Sequence, residues 1–414
     1  MTNFSSKTLS LIMVSTVLLS LFPVAGYLAI VLLLSRFIRK NQFGLLFATL
    51  KKDRGLIFLV FSFSMSAVFT KQHLASLTGL SILLLQVSLF LVIRNSITQR
   101  WHNFAIIKYL LITSIFVSSF GLFQYYFVSY MQPDWLDPNL YKSIPKRAFS
   151  TLYNPNVLGS YLIIIVSLAA AGFPISTKKS FNKILTILTL VTAVLCMVLT
   201  FSRGSWLGLA ASILVILLFG RKKRYILSML AVAALLAIPQ YQYILSRINL
   251  DIMTSDSSNV YRWYLWKFAV KTFLENPFFG GGIGSFGFFV PSHFQAPGYL
   301  VSHAHNIYLQ LLAETGIFGF IAFLGYILRS IYVAYKINKH SQFVQTRRLT
   351  LGVMASTIGL LVHSLVDATL WLPQLAVFVW ILMAVVRNLG DLEGVIPIGP
   401  PARPRLFKRI SLIK

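Results

Sequence analysis

The first residue in this chain with obvious capacity for chemistry is His305. It is followed directly by Asn306 and, after nine further residues, by Gly316-Ile317-Phe318-Gly319. An imidazole titrates near neutral pH and can carry a proton. An ionisable group at the mouth of a membrane helix is costly, so its position there points to function. His303 lies two residues earlier. On a helix, residues two apart face different ways, so the spacing argues against a metal site on this pair. There is no His-Glu-x-x-His motif and no carboxylate-rich cluster, so the sequence predicts no metal and no cofactor. His305 is the candidate base, and His303 is expected to be structural.

Two arginines are the candidate anion binders. Arg203 lies in Thr200-Phe201-Ser202-Arg203-Gly204, with almost no loop between two apolar runs. An arginine deep in lipid costs ~2.5–3.5 kcal/mol, so it needs a partner or water. Its planar fork suits a phosphate. The plain alternative is a side chain that snorkels to headgroups, for which a tight hairpin leaves little freedom. Arg262 lies in Tyr261-Arg262-Trp263-Tyr264-Leu265-Trp266. On a helix it shares a face with Trp266, a cation beside an aromatic platform; taken alone, the stretch reads as an interfacial anchor. His363 and Asp367, spaced i, i+4, suit one hydrogen bond on a helix face. They read first as a self-satisfied buried pair, and otherwise as catalytic support.

Gly282 to Gly287 spells Gly-x-Gly-x-x-Gly. No strand precedes it, so a dinucleotide site is rejected; a tight turn, or a nest of backbone N–H groups near an anion, is expected. Cys196 is the single cysteine, which excludes disulfides and thiolate metal sites.

These residues sit in a chain that is 57% apolar and 11% charged over 414 residues. Apolar runs long enough to cross a bilayer recur, each needing ~20 residues. The fold class is therefore an all-α polytopic transmembrane bundle of eleven or twelve spans, with a large, partly helical extracytoplasmic loop. Thirty-seven bases against ten acids give +27. The bases cluster between apolar runs, at Arg36–Arg54, Arg94–Arg100, Lys178–Lys183, Arg221–Arg224, Arg329–Arg348 and the C-terminal tail. That pattern marks cytoplasmic loops rather than nucleic-acid binding.

Spans are expected near 8–35, 55–70, 74–93, 104–129, 156–174, 183–201, 204–220, 225–240, 305–328, 349–366 and 369–386. Two spans in 8–35 would need ~40 residues, so one tilted helix is preferred there despite Pro23. The N-terminus lacks a convincing cleavage site and reads as a retained span. The chain divides into N-terminal helices (1–240), an extracytoplasmic catalytic loop (241–304), C-terminal helices (305–390) and a basic tail (391–414). Loops at 130–155 and 241–304 exceed ~15 residues, a length that is usually functional.

The residues now carry a resemblance. The chain resembles the O-antigen ligase / O-antigen polymerase superfamily of bacterial membrane glycosyltransferases. His305, Asn306, Gly316 and Gly319 meet its His-[Asn/Ser/Gln]-x9-Gly-x-x-[Gly/Thr/Tyr] signature. Arg203 and Leu207 match its Arg-x-x-x-Leu element, and Arg262 looks like its periplasmic-loop arginine. The segment from Arg147 to Asn154-Pro155-Asn156 is similar to this group as well. The resemblance implies twelve spans, hence a hairpin at 8–35, in the bacterial cytoplasmic membrane with a periplasmic active site. It implies a metal-independent, inverting transfer of a glycan from undecaprenyl diphosphate to a sugar hydroxyl. Ligases use a lipid-anchored core as acceptor and polymerases another lipid-linked repeat. Arg203 and Arg262 would grip the diphosphate and His305 would act as base. Asn306, Gly316, Gly319, His303, Arg147, Asn156, His363 and Asp367 would support them. A solute transporter is the competing class. It would show midplane-broken helices in two related halves, whereas the polar groups here gather at one face.

Overall fold

The computed structural model describes residues 2–128, 146–173, 180–220, 257–294, 301 and 303–395. The expected span at 225–240, the cluster Arg221–Arg224, Lys178 and Lys179, most of the 130–155 loop and the end of the basic tail lie outside the described residues. Among the described residues there are α-helices, short 3-10 turns and no strand. Five helices are long and apolar enough to cross a membrane, and four shorter apolar helices accompany them. The chain is a polytopic helical membrane protein.

Residues 8–35 are not one helix. α1 (Thr2–Leu21) stops before Pro23, and α2 (Pro23–Arg39) begins on it. Proline has no N–H to donate and suits a first helical turn, so it opens α2 while ending α1. The two helices pack on each other as a hairpin. The length argument failed on its bounds: the helices, of 20 and 17 residues, run from Thr2 to Arg39, past 8–35 on both sides, and share a tight turn.

α3 (Phe43–Lys52) is a short helix in the basic loop that the apolar pattern does not announce. α4 (Arg54–Phe69), α5 (His73–Ser96) and α6 (Arg100–Phe127) follow the expected spans within a few residues. So do α7 (Pro155–Ala170), α8 (Ser180–Leu199) and α9 (Arg203–Phe219). α10 (Ser257–Glu275) is the helix inside the large loop. α11 (Ile307–His340), α12 (Val344–His363) and α13 (Pro373–Leu392) complete the bundle.

Chain direction sorts the helix ends. α7, α9 and α11 begin, and α12 ends, at the end carrying His305. The opposite end gathers the bases. There Arg94 pairs with Asp391 at 2.8 Å, Arg100 with Glu393 at 2.8 Å and Arg329 with Asp53 at 3.5 Å.

Two close approaches fix the site end. α9 and α12 cross at Gly208 and Gly359: a Cβ on Gly208 would lie 2.6 Å from the Gly359 carbonyl oxygen. Small residues let membrane helices approach this closely, and van der Waals contact then holds them. The second approach is at Gly316, which has φ +61 and breaks α11. The Ile317 N–H donates to the Pro277 carbonyl at 2.8 Å, and Gly281 N–H donates to the Ala313 carbonyl at 2.8 Å. The glycine-rich turn after α10 thus lies against the break. Gly316 serves this join rather than helix–helix packing, and the nearest neighbours of Gly319 belong to Thr315 of its own helix.

Candidate active site

Asp367 is the hub of the polar cluster. It lies beyond the end of α12 and is 3% exposed. Its Oδ1 is 3.2 Å from His305 Nδ1 and 3.5 Å from His303 Nε2, and accepts from the Ala368 N–H at 2.7 Å. Its Oδ2 accepts from Asn156 Nδ2 at 2.6 Å. Asn156 Oδ1 accepts in turn from Arg147 Nη2 at 3.0 Å, and Arg147 Nε donates to the Thr200 carbonyl at 2.8 Å. A continuous chain of hydrogen bonds therefore runs from the α8–α9 hairpin, through the N-terminal turn of α7, to the histidines.

Local sequence explains each placement. Asn154 caps α7, its side chain accepting from the N–H groups of Asn156 and Val157, with Pro155 opening the helix. Asn306 caps α11 in the same way, accepting from Tyr308 and Leu309, and its Nδ2 donates to the Leu365 carbonyl at 3.0 Å. Asn306 is thus a positioning residue that ties the start of α11 to the segment carrying Asp367.

His305 precedes that cap and is not helical; its φ is +51. The left-handed backbone turns His303 and His305 toward each other, ring centroids 4.3 Å apart. The expectation that the two rings diverge fails, because it assumed a helix where the chain makes a turn. Three ligand-type atoms, from His303, His305 and Asp367, fall within 4.8 Å of one another.

Burial, with the neighbouring His303 and Arg262, holds His305 below the ordinary imidazole range, against an upward pull from Asp367. Burial alone would raise the Asp367 carboxyl, but His305 and His303 hold it well below the usual carboxylate range. At neutral pH the pair is thus a carboxylate beside a neutral imidazole. If Nδ1–H donates to Asp367, the Nε2 lone pair is left to accept a proton.

His363 does not pair with Asp367. α12 ends at His363, so Asp367 leaves the shared helix face, and Ser160 Oγ lies 2.6 Å from His363 Nδ1. Ser160 also bonds Thr369 at 2.7 Å. His363 packs against the start of α9, where a Cβ on Gly204 would lie 2.7 Å from its ring. A Cβ on Gly204 would also meet Val366, so Arg203, the first residue of α9, starts its helix next to the segment that carries Asp367. The hairpin is as tight as expected, with Thr200, Phe201 at φ +47 and Ser202 between the helices. Arg262 on α10 lies within electrostatic reach of His305. The cation set over Trp263 and Tyr264 is Lys267, at 5.6 and 5.5 Å.

Sequence reasoning passed over Glu314 and Gln310. Glu314 is fully buried; its Oε1 accepts from the Phe286 N–H at 2.9 Å and its Oε2 from Trp371 Nε1 at 2.7 Å. The nest expected in the glycine-rich turn closes on this carboxylate of the chain itself. One turn earlier, Gln310 Oε1 accepts from the Ala304 N–H at 2.6 Å, between the two histidines. The available signal was an acid inside an apolar helix, a rarity in membrane spans.

Comparison with known proteins adds the lineage. Residues 188–324 match the O-antigen ligase family. That region holds Arg203, Arg262, both histidines and Gly316, but not Arg147, Asn156 or Asp367. The chain is 28% identical over 129 residues to the teichuronic acid biosynthesis protein TuaE of Bacillus subtilis, covering 31% of this chain and 26% of TuaE. It therefore spans about a quarter of that relative's length. It is 26% identical over 314 residues to an uncharacterized protein of Haemophilus influenzae, covering 69% of this chain and 73% of the relative. Over residues 188–324, about a third of its length, this polytopic membrane chain is therefore similar to the O-antigen ligase family.

Proposed function

We propose that this protein is a membrane glycosyltransferase of surface-polysaccharide assembly, of the O-antigen ligase type. It moves a glycan from undecaprenyl diphosphate to a sugar hydroxyl on the extracytoplasmic face. The observation that carries this reading is the neutral His305 held by Asp367, with Arg262 within electrostatic reach. The acceptor oxygen attacks the anomeric carbon from the side opposite the diphosphate, inverting it. The new C–O bond forms as the bond to the diphosphate oxygen breaks. The hydroxyl proton passes to His305 Nε2, and undecaprenyl diphosphate leaves with the bonding pair. Arg203 and Arg262 stabilise the charge that develops on the leaving group. A diphosphate leaves readily, so no protonated carboxylic acid is required. Asp367 orients His305 and stabilises the imidazolium that forms; Arg147 and Asn156 orient Asp367 in turn. Residues 241–304 act as the catalytic loop between the N- and C-terminal helices.

A polymerase of the same superfamily is the second reading: a relative named for teichuronic acid biosynthesis fits polysaccharide assembly with either acceptor. Both reactions use the same base and the same diphosphate clamp. Mass spectrometry of lipid-linked and mature surface glycans in a deletion strain separates them. Full-length polymer accumulating on its lipid carrier supports the ligase. Loss of polymer length supports the polymerase, and unchanged glycans in both pools overturn both.

A further inference from the structure

A cavity lies at the other end of the same four helices. It measures about 240 Å³ and is lined by Arg347, Arg348 and Asn338, with Ile216, Phe219 and Leu351 among its apolar walls. Its walls come from the last turns of α7, α9 and α11 and the first turns of α12, and among the described residues no carboxylate lines it. Along α12, Arg348 of the cavity and His363 are 15 residues apart. At ~1.5 Å per residue that is roughly 22 Å, most of the ~30 Å hydrocarbon core of a bilayer. The site around His305 and this cavity therefore lie towards opposite ends of the same helices.

The cavity is built around its arginines. Gly172 has φ +85, a left-handed conformation that favours glycine, and its Cα side lies in ordinary contact with the Arg348 side chain. Arg348 Nη1 donates to the Gly172 carbonyl at 3.3 Å, and Arg347 Nη1 donates to the Ser341 carbonyl at 2.7 Å. Both guanidinium groups are thus held at the rim of an apolar slot. Arginine forks match phosphate oxygens, and apolar walls suit the first carbons of an acyl chain. Basic pockets between membrane helices on the cytoplasmic side recognise anionic lipid headgroups in this manner.

We propose that this cavity binds the phosphate of an anionic phospholipid in the leaflet opposite the His305 site. Arg347 and Arg348 hold the phosphodiester, and Phe219, Ile216 and Leu351 hold the glycerol end of an acyl chain. The proposal does not depend on the identity of the glycan transferred.

The test is lipid retention by the full chain in nanodiscs containing phosphatidylglycerol and phosphatidylcholine. Bound lipids are read by native mass spectrometry, and thermal stability is measured alongside. Wild type should retain phosphatidylglycerol well above its bulk share. Arg347→Gln with Arg348→Gln should lower that retention on the order of tenfold or more, given the usual contribution of each basic residue. Because that pair also anchors two carbonyls, Val344→Glu provides an independent variant. Val344 is exposed, lines the cavity and is the first residue of α12. An acid there suits the helix N-terminus and repels a phosphate. It should lose phosphatidylglycerol with no loss of melting temperature in phosphatidylcholine alone. Equal retention by wild type and Val344→Glu overturns the proposal. So does inorganic phosphate stabilising wild type in phosphatidylcholine discs as strongly as phosphatidylglycerol does, since the ligand would then be a soluble anion.

Discussion

The two ends of this bundle handle charge in opposite ways. At the basic end, acids are matched to arginines: Asp391 to Arg94, Glu393 to Arg100, Asp53 to Arg329. Arg387, 1% exposed, sits 5.1 Å from the ring centre of Tyr326. These groups tie α4, α5, α6, α11 and α13 together. At the other end the buried Asp367 faces two histidines and an amide. A carboxylate paired with guanidinium is a strut, since neither group changes protonation near neutral pH. A carboxylate paired with imidazole is one proton away from a different charge state. Within a single set of helices, one end is thus tied by guanidinium pairs while the carboxylate of the other faces imidazoles.

The largest effect should come from removing the imidazole. His305→Ala should slow transfer by at least ~100-fold, the low end for losing a positioned base. Donor binding should persist, because the arginines and the apolar surface provide it. His303→Ala should cost less, since its contact to Asp367 is longer at 3.5 Å. Purified variants supplied with lipid-linked glycan and acceptor give the answer. A larger loss in His303→Ala than in His305→Ala would reassign the base to His303.

The arginines sharpen the contrast next. Arg203→Lys keeps the charge but loses the planar fork. It should reduce transfer by roughly 10²-fold, as expected for removing a donor aimed at developing charge. Arg100→Lys at the basic end should leave activity within about twofold, because a partly exposed strut contributes little. Equal tolerance of lysine at both ends would leave Arg203 as a residue that merely reaches the headgroups.

A subtler effect is expected in the pH profile. The base must be neutral to accept a proton, so activity should rise through the pKa of His305, which lies below the ordinary 6.5. Asp367 pulls that pKa up and Arg262 pushes it down. Asp367→Asn should therefore shift the acidic limb of kcat/KM to lower pH, and Arg262→Gln should shift it to higher pH. Each variant will also lower the plateau. Shifts of the same sign in both, or none, would remove His305 as the titrating group.

Most of the membrane topology is readable from the chain, because a bilayer imposes a length and a polarity on every span. Two features needed the third dimension. Pro23 is compatible with a kink or with a hairpin, and only packing of α1 on α2 selects the hairpin. The convergence of His303 and His305 depends on a positive φ at a non-glycine residue, which no local pattern announces. The glycine-rich turn was legible as a tight turn or a nest of backbone N–H groups, but not that its Phe286 N–H meets the Glu314 side chain from a distant stretch of chain. Gly316 is a related case: a glycine in an apolar helix is compatible with close packing or a break, and the partner backbone at Pro277 decides which. Asp367, Asn156 and Arg147 were each visible as polar residues near apolar boundaries. Their connection in one hydrogen-bonded chain spans three separate elements.

The smallest expected effect concerns metal. His303, His305 and Asp367 offer three ligand atoms within 4.8 Å, a spacing a divalent cation can use. Against that stands the state of the carboxylate. Asp367 Oδ1 already accepts from the Ala368 N–H, and Oδ2 accepts from Asn156 at 2.6 Å. A metal would have to share a carboxylate whose two oxygens are committed to orienting the site. It would also take His305 Nδ1, the nitrogen facing Asp367, and force the ring proton onto Nε2, where the proposed transfer needs a lone pair. Chelators should therefore leave the rate unchanged, and zinc or manganese should not raise it. The measurement is the transfer rate of purified enzyme after dialysis against EDTA, with and without each metal added back. A loss on chelation that zinc or manganese restores would make His305 a ligand rather than a base. The site end would then hold its charge by coordination, and the contrast between the two ends would have to be redrawn.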